Sequence, residues 1–189
     1  MRIVTGKLKG KNLKLLDKTN IRPLKDRARE GIFNILSHSN KVSFDFKNSN
    51  ILDLFAGTGS FGLECLSRGA KKVYFIEKNA KAIDNLKINI ENLNVEKNTI
   101  VHFSDVIYFL SKKKPFKLKF NLIFCDPPFK EKLINKIIEL IYDQKLVTKN
   151  NIFILHRNKK SREILPNYFD LIDERSYGVS KIIIGRLNI

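Results

Sequence analysis

The sequence has no apolar run approaching the roughly 20 residues a membrane helix needs, which argues against a membrane protein of that kind. Its first residues, "MRIVTGKLKGK", lack the apolar centre of a signal peptide, so export is not expected. Cysteine is scarce. Cys65 and Cys125 stand far apart and form neither a CxxC nor a metal-ligand spacing. They read as reduced thiols of a cytoplasmic protein, and no structural metal is expected. There is no internal repeat, low-complexity tract or clear interdomain linker. Acidic residues are the remaining shortage: 19 Asp+Glu face 36 Lys+Arg, a net charge of +17.

That excess favours a polyanionic partner, with nucleic acid first among them. Lysine outnumbers arginine, and Ile and Asn are plentiful, as an AT-rich genome also produces. The distribution is more telling than the total. Residues 1 to 30 carry ten basic side chains against Asp17, Asp26 and Glu30. From this basic arm, Arg2, Lys7, Lys9, Lys11, Arg22 and Arg27 are candidate RNA contacts. Arg27 also fits a structural ion pair with Asp26 or Glu30. The lysines of "KKKPFKLK", 112 to 119, read as a solvated loop before a strand.

At 189 residues and 43% hydrophobic, the chain suits one domain with a full core. Residues 2 to 16 alternate loosely around glycines and predict a short β-hairpin. The hairpin, taken as residues 1–20, is expected to face RNA as an extension of a main domain over 21–189. Pro23 suits a helix start. Leu24, Ala28, Ile32, Ile35 and Leu36 fall on one face of that helix, with Asp26, Arg27 and Arg29 on the other side or in the first turn. From residue 51, strands "NILDLF", "KVYFIE", "TIVHF", "FNLIFC" and "NIFILH" alternate with helical stretches, one of them running from Ala80 to Leu93. "FDLIDERSYG" and "SKIIIGRLN" follow with a link so short that they can only pair antiparallel. The order predicts an α/β Rossmann-like fold: a mostly parallel seven-stranded sheet with a reversed last strand.

"ILDLFAGTGSFG" joins the first of those strands to a helix. Gly57, Gly59 and Gly62 satisfy G-x-G-x-x-G, and Glu77 closes the next strand twenty residues on. Glycines let backbone approach a ligand, and a strand-end carboxylate can accept ribose hydroxyls. The loop itself (Phe55, Ala56, Gly57, Thr58 and Gly59) is the expected cofactor seat, but this pattern also serves dinucleotides. Asp53 separates the two. A carboxylate beside the loop serves a diphosphate poorly and an ammonium or sulfonium well, which favours S-adenosylmethionine. Asp105, after the third strand, can accept from an adenine amine or cap the helix that follows, and both roles stay open.

The fourth strand runs into Asp126, Pro127, Pro128 and Phe129. Two prolines forbid a continuing ladder and an ordinary helix interior, so this is a stiff loop at a ligand-bearing sheet edge. An exocyclic amine on a base is a weak nucleophile, because its lone pair is delocalised into the ring. Asp126 and a neighbouring carbonyl can orient its N–H groups, and Phe129 offers a stacking face. Cys125 precedes Asp126 and points to the opposite face, into the core.

"DLFAGTGSFGLECLSRGA", "IEKN", "CDPPF" and, most specifically, "RPLKDRAREGIFNIL" after a G-x-x-x-G hairpin resemble the RsmD family of 16S ribosomal RNA guanine-N2 methyltransferases, over almost the whole chain. The resemblance implies a class I methyltransferase fold, S-adenosylmethionine as donor and S-adenosylhomocysteine as product. It also implies a guanine of small-subunit rRNA as target, in the RNA itself or within an assembling 30S particle. The protein is expected to act as a monomer. One departure is "FILHRNKK", where the family carries an acidic residue near His156. A change in local RNA contacts, with nothing catalytic affected, is the expected consequence. Three alternatives remain: an N6-adenine DNA methyltransferase, for which the chain leaves no room for a target-recognition domain; an NAD-dependent oxidoreductase, opposed by Asp53 and the Asp126–Phe129 loop; and a non-catalytic RNA-binding protein.

Overall fold

The computed structural model describes residues 1–15, 26–128 and 133–189. Arg22, Pro23, Leu24 and Phe129 lie outside the described residues. Among the described ones, no helix is long and apolar enough to cross a membrane.

Helix α1 (Asp26–His38) precedes strand β1 (Asn50–Leu54), α2 (Ser60–Ser67), β2 (Lys72–Glu77), α3 (Ala80–Leu93) and β3 (Thr99–Phe103). Then come α4 (Val106–Leu110), β4 (Phe120–Cys125), α5 (Ile134–Asp143), β5 (Val147–Asn158), β6 (Phe169–Tyr177) and β7 (Ser180–Leu187). The sheet order is β3-β2-β1-β4-β5-β7-β6. The first five strands run parallel, and β7 lies antiparallel between β5 and β6. The expected seven-stranded sheet with its reversed last strand is thus present.

Strand alternation divides the core in two. Ile51, Phe75, Phe124, Ile154 and Ile184 pack beneath α1, α2 and α3. Their neighbours Leu52, Leu54, Ile123, Cys125 and Leu155 pack against α4 and α5. Period 2 therefore sends Asp53, between Leu52 and Leu54, to the α1–α3 side. Residues Asp126 and His156, one step past Cys125 and Leu155, go the same way.

The N-terminal segment folds back on itself, with Ile3 N–H donating to the Lys11 carbonyl at 2.9 Å and Leu13 N–H to the Met1 carbonyl at 2.9 Å. Among the described residues of the hairpin, only the Arg2–Asn12 pair makes a β-bridge, so it is less regular than its alternation implies. It is also bound to the main body. Ile3 and Leu13 are buried in the α1–α3 core, and Lys7 N–H donates to the Ser67 carbonyl at 2.8 Å. Gly6 explains the closeness: its φ is +87°, and a Cβ there would sit 1.9 Å from the Ser67 carbonyl oxygen.

Helix α1 buries Ala28, Ile32, Ile35 and Leu36 as expected, but Arg29 departs from the pattern. It is 1% exposed, and its Nη2 donates to the Arg2 carbonyl at 3.0 Å, linking α1 to the hairpin. A long side chain with a hydrogen-bonding head can fill a core position that helical spacing assigns to the polar side.

Candidate active site

The turn from β1 into α2 holds three residues with positive φ: Phe55 (59°), Gly57 (56°) and Gly59 (81°). The glycines serve different ends. A Cβ on Gly59 would lie 2.3 Å from Leu86 Cδ1, and one on Gly62 would lie 2.4 Å from the Phe75 ring, so Gly59 admits α3 and Gly62 lets α2 sit closely on β2. A Cβ on Gly57 would meet nothing within 4 Å. Gly57 therefore borders open space, where a ligand can approach the backbone. Asn89 Nδ2 steadies the loop from α3 by donating to the Thr58 carbonyl at 3.0 Å, and Ala56 N–H donates to the Ile76 carbonyl at 3.1 Å.

Glu77 reaches back to this loop. Its Oε2 accepts from Gly57 N–H at 2.8 Å, and its Oε1 from the Lys78 and Asn79 amides, each at 2.8 Å. Oε1 is filled by its two amides, whereas Oε2 keeps lone-pair capacity for a further donor. Asp53 lies beneath the loop, 1% exposed, with Oδ2 accepting from Gly62 N–H at 3.0 Å. Its Oδ1 makes no hydrogen bond among the described residues. Burial pushes this carboxyl well above its usual range. The Gly62 amide opposes that rise, and the charges of Asp126 and Glu77 add to it.

Asp105 is the N-cap of α4. Its Oδ1 accepts from the Ile107 and Tyr108 amides at 3.0 and 3.3 Å, and its Oδ2 pairs with Lys78 Nζ at 2.9 Å. Partial burial works against its ionisation, but the Lys78 ammonium and the two amides outweigh that and hold the carboxyl below its usual range. An adenine amine would have to share Oδ2 with Lys78.

At the end of β4, Asp126 N–H donates to the Leu54 carbonyl at 3.3 Å, tying the Asp-Pro-Pro turn to the strand that carries Asp53. The sequence assigned no catalytic connection to His156. The register places it beside the turn: Leu122 pairs with Ile152 and Cys125 with Leu155, so Asp126 stands across from His156. Their side chains meet at 2.6 Å, Nδ1 to Oδ1. Arg157 Nη1 donates to the Pro128 carbonyl at 3.2 Å, while Nε is held by Glu163 Oε1 at 2.6 Å. Matched positions at the ends of adjacent parallel strands were the available signal. Counting each strand's last apolar residue as opposite its neighbour's would have paired Asp126 with His156.

The structure thus gathers Asp53, residues 55–59, Glu77 and Asp126 around one end of the sheet. Arg2, Lys7, Lys9 and Lys11 are exposed on the hairpin, and Arg27 is exposed on α1.

A glycine turn after β1, an acid closing β2, an Asp-Pro-Pro turn after β4 and a reversed β7 define a class I methyltransferase fold. Comparison with solved structures agrees. The Escherichia coli protein yhhF, described as a candidate methyltransferase, superposes with a TM-score of 0.84 at 28% identity over 100% of this chain and 98% of its own. A candidate methylase from Haemophilus influenzae gives 0.80 at 28% identity, covering 100% and 98%. The family model described as "Conserved hypothetical protein 95" matches residues 1–186, and the chain belongs to this family, the RsmD family. Among its relatives is the ribosomal RNA small subunit methyltransferase D of Buchnera aphidicola, 33% identical over 92% of this chain and 86% of that protein. The protein of the same name from Haemophilus influenzae is 31% identical over 95% and 90%.

Proposed function

We propose that this protein transfers a methyl group from S-adenosylmethionine to the exocyclic N2 amine of a guanine in small-subunit ribosomal RNA. The observation that carries the proposal is the convergence of two structures at one sheet edge: the open backbone at Gly57 and the Asp126-Pro127-Pro128 turn. Relatives named for small-subunit rRNA methylation support the substrate class. The choice of guanine N2 rests on the family resemblance of the motifs.

The residues suit the cofactor. Gly57 admits close approach, Glu77 Oε2 can accept a ribose hydroxyl, and Asp53, whose buried carboxylate a neighbouring cation would stabilise, favours an ammonium or sulfonium over a diphosphate. S-adenosylmethionine held here would supply a sulfonium-activated methyl for the amine nitrogen, with S-adenosylhomocysteine as the leaving group and one amine proton given up. The chain's part is to prepare that nitrogen. An N–H hydrogen bond to the Asp126 carboxylate turns the lone pair out of conjugation with the ring and aims it along the transfer axis. Pro127 and Pro128 hold the turn rigid, and Phe129 is the proposed stacking face for the base. The proposed setting is cytoplasmic, with the protein acting as a monomer on rRNA or an assembling 30S particle.

The test is incubation with methyl-labelled S-adenosylmethionine and small-subunit particles, followed by mapping of the labelled base. Label on one guanine N2 is expected. Label on adenine N6, or binding of NAD with none of S-adenosylmethionine, would overturn the proposal.

Asp53→Asn should separate stability from binding. Asparagine keeps an acceptor for Gly62 N–H and removes the cost of a buried charge. The folded-state carboxyl of Asp53 is raised, so its contribution is fully present below the unfolded value and is lost as pH rises through the folded one. The variant's stability relative to wild type should therefore grow as pH rises out of the carboxylate range, while its S-adenosylmethionine affinity falls by roughly tenfold. Thermal unfolding across pH, with calorimetric titration at neutral pH, checks both. A stability difference that shrinks with rising pH would contradict the assignment.

RNA docking is assigned to the exposed hairpin cations. Replacing Lys7, Lys9 and Lys11 together by alanine should weaken RNA binding and flatten the log–log salt slope by about 2 to 3, if each contacts one phosphate. Cofactor affinity should not change. Equal slopes across a salt series would leave these lysines as solvated charge.

A further inference from the structure

We propose that His156 is a positioning residue for Asp126, an inference that rests on the methyltransferase reading above and extends it. The two side chains project from the ends of adjacent parallel strands, onto the same face of the sheet, with Nδ1 2.6 Å from Oδ1. At that distance a proton must lie between the atoms, because two bare lone pairs would repel. Against a carboxylate, the proton belongs to Nδ1, so the imidazole donates.

The side chain of His156 is only 7% exposed, against 20% for Asp126. The histidine therefore approaches Asp126 from the more buried side, and the carboxylate is the partner more open to solvent. A carboxylate free to rotate about its Cβ–Cγ bond would present either oxygen, at varying angles, to a substrate. With Oδ1 held from behind, Oδ2 becomes the oxygen offered to the target amine, in one direction. The next residue on β5 acts on the main chain of the same turn. Arg157 is 4% exposed, fixed by Glu163 and donating to the Pro128 carbonyl. Strand β5 thus holds the turn at two successive residues, once through a side chain and once through the backbone. Precise placement of an acceptor is where an orienting enzyme gains rate, and small losses of placement are costly.

The experiment compares His156→Leu with His156→Asn in a single-turnover methyl-transfer assay. Leucine removes the donor and should slow transfer roughly 10- to 100-fold, with S-adenosylmethionine affinity within a few-fold of wild type. Asparagine places an amide N–H near the Nδ1 position and should recover most of the rate, which a purely structural role would not require. Leucine at the wild-type rate, or asparagine as slow as leucine, would overturn the proposal. A second measurement needs no activity: imidazole nitrogen NMR of wild type and of Asp126→Ala. Protonated Nδ1 in wild type, with that tautomer preference lost in Asp126→Ala, is expected. An unprotonated Nδ1 in wild type would overturn the proposal. If wild type methylated no RNA, the functional reading would fail while the NMR result still decided the His156–Asp126 contact.

Discussion

Asp126→Ala is expected to lower the rate of methyl transfer by roughly a hundredfold or more, while S-adenosylmethionine affinity stays within a few-fold. The asymmetry follows from position. Asp126 closes β4, whereas the glycine loop and Glu77 belong to β1 and β2 and are held by their own hydrogen bonds. Removing the carboxylate leaves those bonds untouched. It does remove the acceptor that would draw the amine lone pair out of conjugation, an interaction strongest in the transition state. Losing one such preorganised partner commonly costs about 3 to 4 kcal/mol. The turn itself should survive, because Asp126 N–H still donates to the Leu54 carbonyl and Arg157 still holds the Pro128 carbonyl. Single-turnover transfer from labelled cofactor, with parallel calorimetry, separates the two quantities. A near-normal rate would remove Asp126 from the chemistry. A matched loss of cofactor affinity would instead place it in the cofactor site.

Much of this edge was legible because its determinants are local. The span of α3, Ala80–Leu93, follows from its apolar spacing together with Asn79, whose side chain caps the Ala82 amide, and Asn94, which ends the helix at φ 55°. The glycine turn, Glu77 at the end of β2 and the Asp-Pro-Pro turn are likewise read from strings of adjacent residues. Asp105 was legible as a choice between two roles. The structure shows the cap and adds Lys78, a partner 27 positions away in sequence.

What escaped was set by tertiary pairing of polar groups. His156 lies 30 residues from Asp126, and only the β4–β5 register brings them together. Arg29 was assigned to a polar face by spacing, yet it is buried because the hairpin lies against α1 and offers the Arg2 carbonyl. Hydrophobic periodicity records which positions face inward on average. It does not record a charged residue that faces inward because a backbone group elsewhere needs a hydrogen-bond partner.

Glu64 is the clearest such residue, and its removal should have the largest effect on stability. It sits on α2 with no solvent exposure, among apolar neighbours. Its Oε2 accepts from Val4 N–H at 2.7 Å and its Oε1 from Thr5 N–H at 3.0 Å, while Arg68 Nε, one helical turn on, donates to Oε1 at 3.0 Å. The Arg68 guanidinium lies over the Phe33 ring at 4.4 Å, so hairpin, α1 and α2 meet around this carboxylate. Glu64→Ala strands two amides and a mostly buried cation at once. Breaking a buried charged pair by deleting one partner costs about 3 to 5 kcal/mol, a large share of the roughly 5 to 15 kcal/mol that stabilises a typical domain. Glu64→Gln keeps one carbonyl acceptor and should lose less. The damage should begin at the hairpin, because its amides lose their partners while the sheet keeps its own. Val4 and Thr5 amides should then exchange with solvent faster than those of β1 and β4, and RNA binding should weaken before cofactor binding does. Denaturant unfolding gives the total loss, and residue-resolved hydrogen exchange locates it. A loss under about 1 kcal/mol with unchanged exchange at Val4 and Thr5 would show that packing of Ile3 and Leu13 holds the hairpin without the carboxylate.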